Sequence, residues 1–164
     1  MHRRDLLKFA AATGLAWPLA GSRLVLANNG PIVFASYAPM SGAFAANGKF
    51  NDMGVQLSVQ THGTVLGREL RSITIDTEGK PATAVRRAQE AFEQRDARFM
   101  VGGILSSEAL AVGAEMHRLG GIMMTSAGAD EITGTDCNRA TFRWSVPTFG
   151  AVEQTVRPGL ERHP

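Results

Sequence analysis

At 164 residues the chain has room for one ordinary domain and not for two. Its 17 Lys and Arg stand against 15 Asp and Glu for a formal net charge of +2. In the body of the chain only Arg86 and Arg87 adjoin, and no aromatic residues interleave with the cations, which argues against a nucleic-acid surface. A single cysteine, Cys137, excludes an intrachain disulfide and any C-x-x-C metal or redox pair. With no base beside it, Cys137 reads as a structural or loop thiol and not a nucleophile.

The first 27 residues have the three parts of a secretory signal: the cations Arg3, Arg4 and Lys8, an apolar stretch over residues 9–20, and the small-residue ending Val25-Leu26-Ala27. That stretch is too short for the ~20 residues that span a bilayer, and Gly14 and Pro18 weaken it further, so no stable membrane anchor is expected. The run from His2 to Lys8 resembles a twin-arginine translocation signal, with His2 where Ser or Thr is usual. A general secretory signal that carries two arginines is the alternative. No cysteine follows the apolar stretch, which excludes a lipid anchor at that site. Removal of residues 1–27 would leave residues 28–164, near-neutral in charge, for export to the periplasm.

Beyond the leader, residues 32–37 form a short apolar run closed by Pro39 and Gly42, a buried strand. Residues 44–62 read as a helix despite Gly48 and Gly54, residues 63–67 as a turn, and residues 70–76 as a second strand. Pro81 suits a helix first turn, and Val85, Ala88 and Phe92 repeat at helical spacing up to Arg95. A strand is expected over residues 99–105, a helix over 108–119 with Leu110, Ala114 and Met116 at its inner face, and a strand over 121–125. Trp144, in Phe142-Arg143-Trp144, is expected in a core strand. Strands alternating with helices of 10 to 15 residues imply right-handed crossovers and a doubly wound, parallel α/β sheet. Ligands of such sheets settle outside the carboxyl ends of the strands.

Ser106 and Ser107 stand between the third strand and its helix. One hydroxyl can cap the helix, and the exposed amides and positive helix end can receive a carboxylate; position alone does not choose between these roles. The small residues Ser126, Ala127 and Gly128 leave the fourth strand in a way that lets a ligand approach the backbone, the alternative being a plain turn capped by Asp130. There is no G-x-S-x-G elbow, no G-x-G-x-x-G after the first strand and no phosphate-binding G-x-x-x-x-G-K-[ST]. The histidines, His2, His62, His117 and His163, have no partner at metal-ligand spacing, and His117 reads as solvent-facing. Asp76 beside Glu78 is a weak acid-base candidate without a second group. No catalytic residue, cofactor or metal is expected.

Ala38-Pro39-Met40-Ser41-Gly42 with Gly48, Val65-Leu66-Gly67-Arg68, the strand-serine-helix step over residues 102–111, and Asp130-Glu131-Ile132-Thr133-Gly134 followed by Cys137 and Thr141-Phe142-Arg143-Trp144 resemble, in this order and spacing, one family. It is the type I periplasmic solute-binding proteins of branched-chain amino-acid (Leu/Ile/Val-binding) ABC transporters and their relatives. The resemblance covers residues 32–148. It implies that Ser106, through its hydroxyl and amide, holds a ligand carboxylate with Ser107 beside it, and that residues 126–128 supply backbone and hydroxyl contacts. Asn47 falls where amino-acid binders often carry an aromatic residue, and the hydroxyl expected late in the second loop falls near Gly128 or Ala129. Both departures turn the expectation from branched-chain amino acids toward other small organic acids, amides or aromatic acids. Relatives continue into a second lobe beyond the position of Pro164, so residues 28–164 read as the N-terminal lobe alone. The expected function is a solute carrier that hands its ligand to an ABC permease and ATPase complex. The alternatives are an exported sensory ligand-binding domain and an exported α/β enzyme.

Overall fold

The computed structural model describes residues 30–162; the leader expected over residues 1–27 lies outside them. Strand β1 (Ile32–Ala38) is followed by a 3-10 turn and helix α1 (Ala45–His62). A two-residue strand β2 (Thr64–Val65) turns at Leu66-Gly67 into β3 (Arg68–Asp76). Then come α2 (Pro81–Arg95), β4 (Ala97–Gly102), α3 (Ser106–Leu119), β5 (Ile122–Thr125), a 3-10 turn at Asp130–Thr133, β6 (Thr141–Arg143) and α4 (Thr148–Arg162).

The strands form one sheet in the order β2-β3-β1-β4-β5-β6, parallel throughout except for the β2–β3 hairpin. The register runs from Ile32 opposite Leu70 to Ala38 opposite Asp76 on one side of β1, and reaches Tyr37 opposite Gly102 on the other. The chain steps from β1 outward to β3 and then returns across β1 to β4. Their carboxyl ends therefore diverge in connectivity between β1 and β4, where a doubly wound sheet leaves a crevice. This is the α/β class that the alternating pattern predicts.

The core lies on the α2–α3 face. Ala84, Ala88, Ala91 and Phe92 of α2, with Ala109, Val112 and Met116 of α3, pack on Ala35, Tyr37, Ile75, Ala97, Met100 and Met123 of the strands. Small alanines let both helices lie close to the sheet, and methionines fill the remaining gaps. Ala114, expected inward, is exposed, because the inner stripe of α3 runs through Ala109, Val112, Gly113 and Met116. Among the described residues the other face carries α1 alone, which buries Gly48 and Asp52. Asp52 is satisfied there by Thr74 and Gln56, at 2.8 and 2.6 Å.

That thin cover explains a second correction. Trp144 is not in a core strand: it follows the edge strand β6 and is 54% exposed, with Phe142 and Met124 also open to solvent. Helix α4 buries no residue, and Phe149, Val152, Val156 and Leu160 form an uncovered stripe along it. Among the described residues no helix is long and apolar enough to cross a membrane.

Gly48, which lowers intrinsic helix propensity, has a packing reason. A Cβ there would stand 1.9 Å from the Pro39 carbonyl oxygen, so the loop leaving β1 can cross α1 only over a residue without a side chain.

Candidate functional site

The site is built around the bend after β4. Gly102 and Gly103 have φ of +137° and +73°, and a Cβ on either would stand 2.1 Å from the Tyr37 carbonyl or phenol oxygen respectively. The Gly103 amide donates to the Tyr37 carbonyl at 3.0 Å. The chain is thus pinned to β1 at the crevice, which ends β4 at Gly102 and not at residue 105 as the apolar run suggests. Ile104 and Leu105 lead directly into α3, so both serines lie inside its first turn.

No side chain caps α3; its N-cap residue is Leu105. The first bond of the helix runs from the Ala109 amide to the Leu105 carbonyl, at 3.0 Å. The amides of Ser106, Ser107 and Glu108 consequently have no acceptor within the helix, and the positive helix end opens at the carboxyl edge of the sheet. Of the two roles that position left open, capping by a serine hydroxyl does not occur. Ser106 Oγ instead accepts from the Ala129 amide at 3.2 Å, joining α3 to the loop after β5. Ser106 is half-buried and Ser107 exposed.

That loop is held from two sides. Thr125 Oγ1 donates to the Gly103 carbonyl at 2.9 Å and accepts from the Ala127 amide at 3.1 Å. From the far side Ser145 Oγ donates to the Ser126 carbonyl at 2.8 Å, and both the amide and the hydroxyl of Thr148 donate to the Gly128 carbonyl at 2.8 Å. Arg143 reaches the Ala129 carbonyl at 2.7 Å and the Thr133 hydroxyl. The carbonyls of Ser126 and Gly128 are therefore already engaged by protein donors. Ala127 is buried, while Ser126 and Gly128 are half-buried. Asp130 accepts from the Phe149 amide at 3.2 Å, so it caps α4, not the turn beside it.

The first loop is anchored by Asp76, whose Oδ1 accepts from the amides of Met40 and Glu78, at 2.9 and 2.8 Å. Burial pushes the Asp76 carboxyl up, but these two amides, the Ser41 hydroxyl and the Arg87 charge outweigh it and hold the carboxyl below its usual range. A carboxylate fixed in this way is a loop anchor and not a proton donor. Asn47 is exposed on α1, at the same end of the sheet, and no hydrogen bond joins it to Ser106 or to the loop over residues 126–128. The structure thus joins Ser106 to the loop after β5 at Ala129, with no hydrogen bond from Asn47 to either.

Behind the serines lies a group that the sequence does not single out. Glu108, the third residue of α3, is fully buried, and among the described residues neither of its carboxyl oxygens has a hydrogen-bond partner. Burial pushes its carboxyl up, the Thr77 hydroxyl only partly offsets this, and the charge of Asp76 adds to it. Tyr37, also buried, donates its phenol to the Met123 sulfur at 3.0 Å; burial raises the phenol well above its usual range. An acidic residue in a helix first turn reads from sequence as a favourable surface charge, so only the tertiary structure shows Glu108 to be internal. Likewise Arg143, Ser145 and Thr148 become loop clamps through contacts 14 to 20 residues distant.

An apolar groove of about 450 Å³ lies elsewhere, between α1 and the sheet, lined by Phe34, Phe50, Val55, Met124 and Trp144 among others. It offers no cation or helix end to hold a charged ligand. Among the described residues no cluster of three His, Cys, Asp or Glu could hold a metal ion. His117 is exposed, and Cys137 lies exposed in a loop.

A family model described as periplasmic binding protein matches residues 31–158. No curated protein matches the chain. Among solved structures, an amino acid ABC transporter substrate-binding protein from Pseudomonas fluorescens Pf-5 is 54% identical, with a TM-score of 0.77 over 82% of this chain and 36% of that one. A solute-binding protein of an ABC transporter from R. palustris, in complex with benzoate, is 26% identical, with a TM-score of 0.65 over 71% of this chain and 33% of its own. A leucine-binding protein from Thermotoga maritima MSB8, at 22% identity and a TM-score of 0.67, shares the fold over 78% of this chain and 38% of its own. The chain spans about a third of the length of these relatives.

Proposed function

The chain belongs to the periplasmic binding protein family, and on that premise we propose that it supplies the first lobe of an extracytoplasmic solute carrier for an ABC importer, binding a small carboxylate-bearing solute without covalent chemistry. The observation that carries this reading is the uncapped start of α3. Three amides without intrahelical acceptors face the crevice, and the adjacent Ser106 hydroxyl is already oriented by the Ala129 amide. A carboxylate seated there would accept from the Ser106 and Ser107 amides and from the Ser106 hydroxyl, each a charge-assisted bond at a positive helix end. Ser126 Oγ and the backbone at Gly128 would border it from the neighbouring loop. Asn47, exposed on the first helix, would face the ligand's far end and set its size or polarity. The benzoate complex of the R. palustris relative and the amino-acid description of the Pseudomonas relative bracket the solute class.

Delivery to a permease and ATPase pair, a periplasmic location and removal of residues 1–27 as a twin-arginine signal belong to the same proposal. The test is to graft residues 31–158 onto the remaining chain of the Pseudomonas relative, which completes the crevice, and to titrate the hybrid calorimetrically with leucine, benzoate and benzamide. Binding of either carboxylate with benzamide excluded supports the reading. Equal affinity for benzoate and benzamide refutes a helix-end carboxylate site.

A further inference from the structure

The proposed carboxylate site shares its helix end with a second carboxyl group. Glu108 follows Ser106 by two residues, within the same first turn, yet its side chain turns into the protein and is fully buried with both oxygens unpartnered. A glutamate at this third helix position can reach back to the amide of the N-cap residue, here Leu105; Glu108 makes no such bond.

The charged and titratable groups around Glu108 are few. Asp76 at the end of β3 is ionised and repels it; Arg87 of α2, whose charge is felt at Asp76, is itself paired with Glu90 at 3.1 Å. The Tyr37 phenol on β1 feels the Glu108 charge. Asp130 on the following 3-10 turn is engaged by the Phe149 amide, and its neighbour Glu131 is exposed. Glu115, two turns along α3, is bound by Arg118 and Gln89. Among the described residues no lysine or arginine hydrogen-bonds to Glu108.

We propose that Glu108 makes carboxylate capture proton-linked: the ligand binds to the form in which Glu108 carries a proton, and ionisation of Glu108 expels it. The inference rests on the carboxylate reading of the α3 start. One helix end has a fixed positive potential, and an ionised Glu108 within its first turn would consume that potential and repel the incoming anion across a low-dielectric wall. A neutral Glu108 leaves the amides and the helix end to the ligand. Burial, which raises the carboxyl from its ordinary value of 4.5, is in the direction this arrangement needs. By reciprocity a bound carboxylate ligand stabilises the proton on Glu108, so binding above the ionisation range takes a proton from solution. Glu108 is a positioning residue in this scheme and touches no ligand.

The experiment titrates the protein with benzoate from about pH 5 to about pH 9, a range in which benzoate itself stays ionised, and repeats the series with Glu108→Gln, the isostere of the neutral form. The wild type should lose affinity by up to about tenfold per pH unit once Glu108 ionises. E108Q, which keeps every histidine, should hold a constant affinity. Melting without ligand gives an independent readout: the Tm of E108Q relative to wild type should rise with pH, because only the wild type must bury an ionising carboxyl. A wild-type affinity that does not change with pH, or the same change in both proteins, overturns the proton linkage and leaves the site reading intact. Failure of both proteins to bind benzoate at any pH overturns the site reading and the linkage with it. A melting difference that is flat with pH shows that Glu108 is not held neutral and overturns the linkage.

Discussion

Replacing Ser106 with Ala separates ligand binding from loop anchoring, because the structure gives its hydroxyl one internal bond and leaves its donor capacity free. The internal bond, from the Ala129 amide at 3.2 Å, is at the long end for its type and only half-buried. Its loss should cost about 0.5–1 kcal/mol of stability, a fall in melting temperature of roughly 2–6 °C. A charge-assisted bond from the same hydroxyl to a ligand carboxylate is worth about 1.5–3 kcal/mol, so affinity in a two-lobed hybrid should fall roughly ten- to a hundredfold. The exposed Ser107, whose side chain is joined to no other described residue, gives the control: Ser107→Ala should leave the melt within about 0.5 kcal/mol of wild type. Calorimetric titration with thermal melts of all three proteins reads both quantities. A lowered melt with unchanged affinity would refute the ligand role and leave Ser106 as the tether between α3 and the loop after β5.

Gly103→Ala should cost more than about 3 kcal/mol, since the new Cβ combines a left-handed backbone with an approach of 2.1 Å to the buried phenol oxygen of Tyr37. Adding Tyr37→Phe should recover only part of that melt, because the ring carbon Cζ also lies at 2.7 Å. Asp76→Asn tests the first-loop anchor through pH. The folded carboxyl sits below its ordinary value of 3.8, so its contribution is present above that value and lost as pH falls through the folded one. Urea unfolding should therefore show D76N less stable than wild type at neutral pH, with the gap closing on acidification below about pH 4; a gap independent of pH would show that the charge is not what matters. Replacing Arg3 and Arg4 together with Lys should hold the precursor in the cytoplasm, seen by fractionation, whereas continued export and cleavage would point to the general secretory path.

The sheet was legible because its strands are short apolar runs and its helices carry repeating alanines and Phe92 at helical spacing. What escaped the pattern did so for identifiable reasons. The apolar run over residues 99–105 continues past Gly102, and the strand ends there where Gly102 and Gly103, at positive φ, pack closely on Tyr37. The strand β2 has two residues and sits on an edge, too short to alternate visibly. Trp144 is large and apolar, which predicts burial, but the face it lies on carries one helix and leaves β5 and β6 bare. At the site, the loops and the serine step could be placed from strand order alone. The roles of Ser106 as a tether, of Asp76 as an anchor and of Glu108 as an internal acid depend on contacts with residues far away in sequence.

The central strand β1 pairs with β3 and β4 and with no sequence neighbour, and the hairpin at residues 64–69 is the one local pairing in the described sheet. The bonds that tie the elements around the crevice to one another span long loops: Met40 to Asp76, Gly103 to Tyr37, Ala129 to Ser106. Closing such loops costs chain entropy before any contact repays it, so the crevice cannot form ahead of the sheet. Capture of a solute at the α3 start is then a kinetic marker of the finished fold: in refolding experiments it should appear with the slowest phase, after helical signal has already returned.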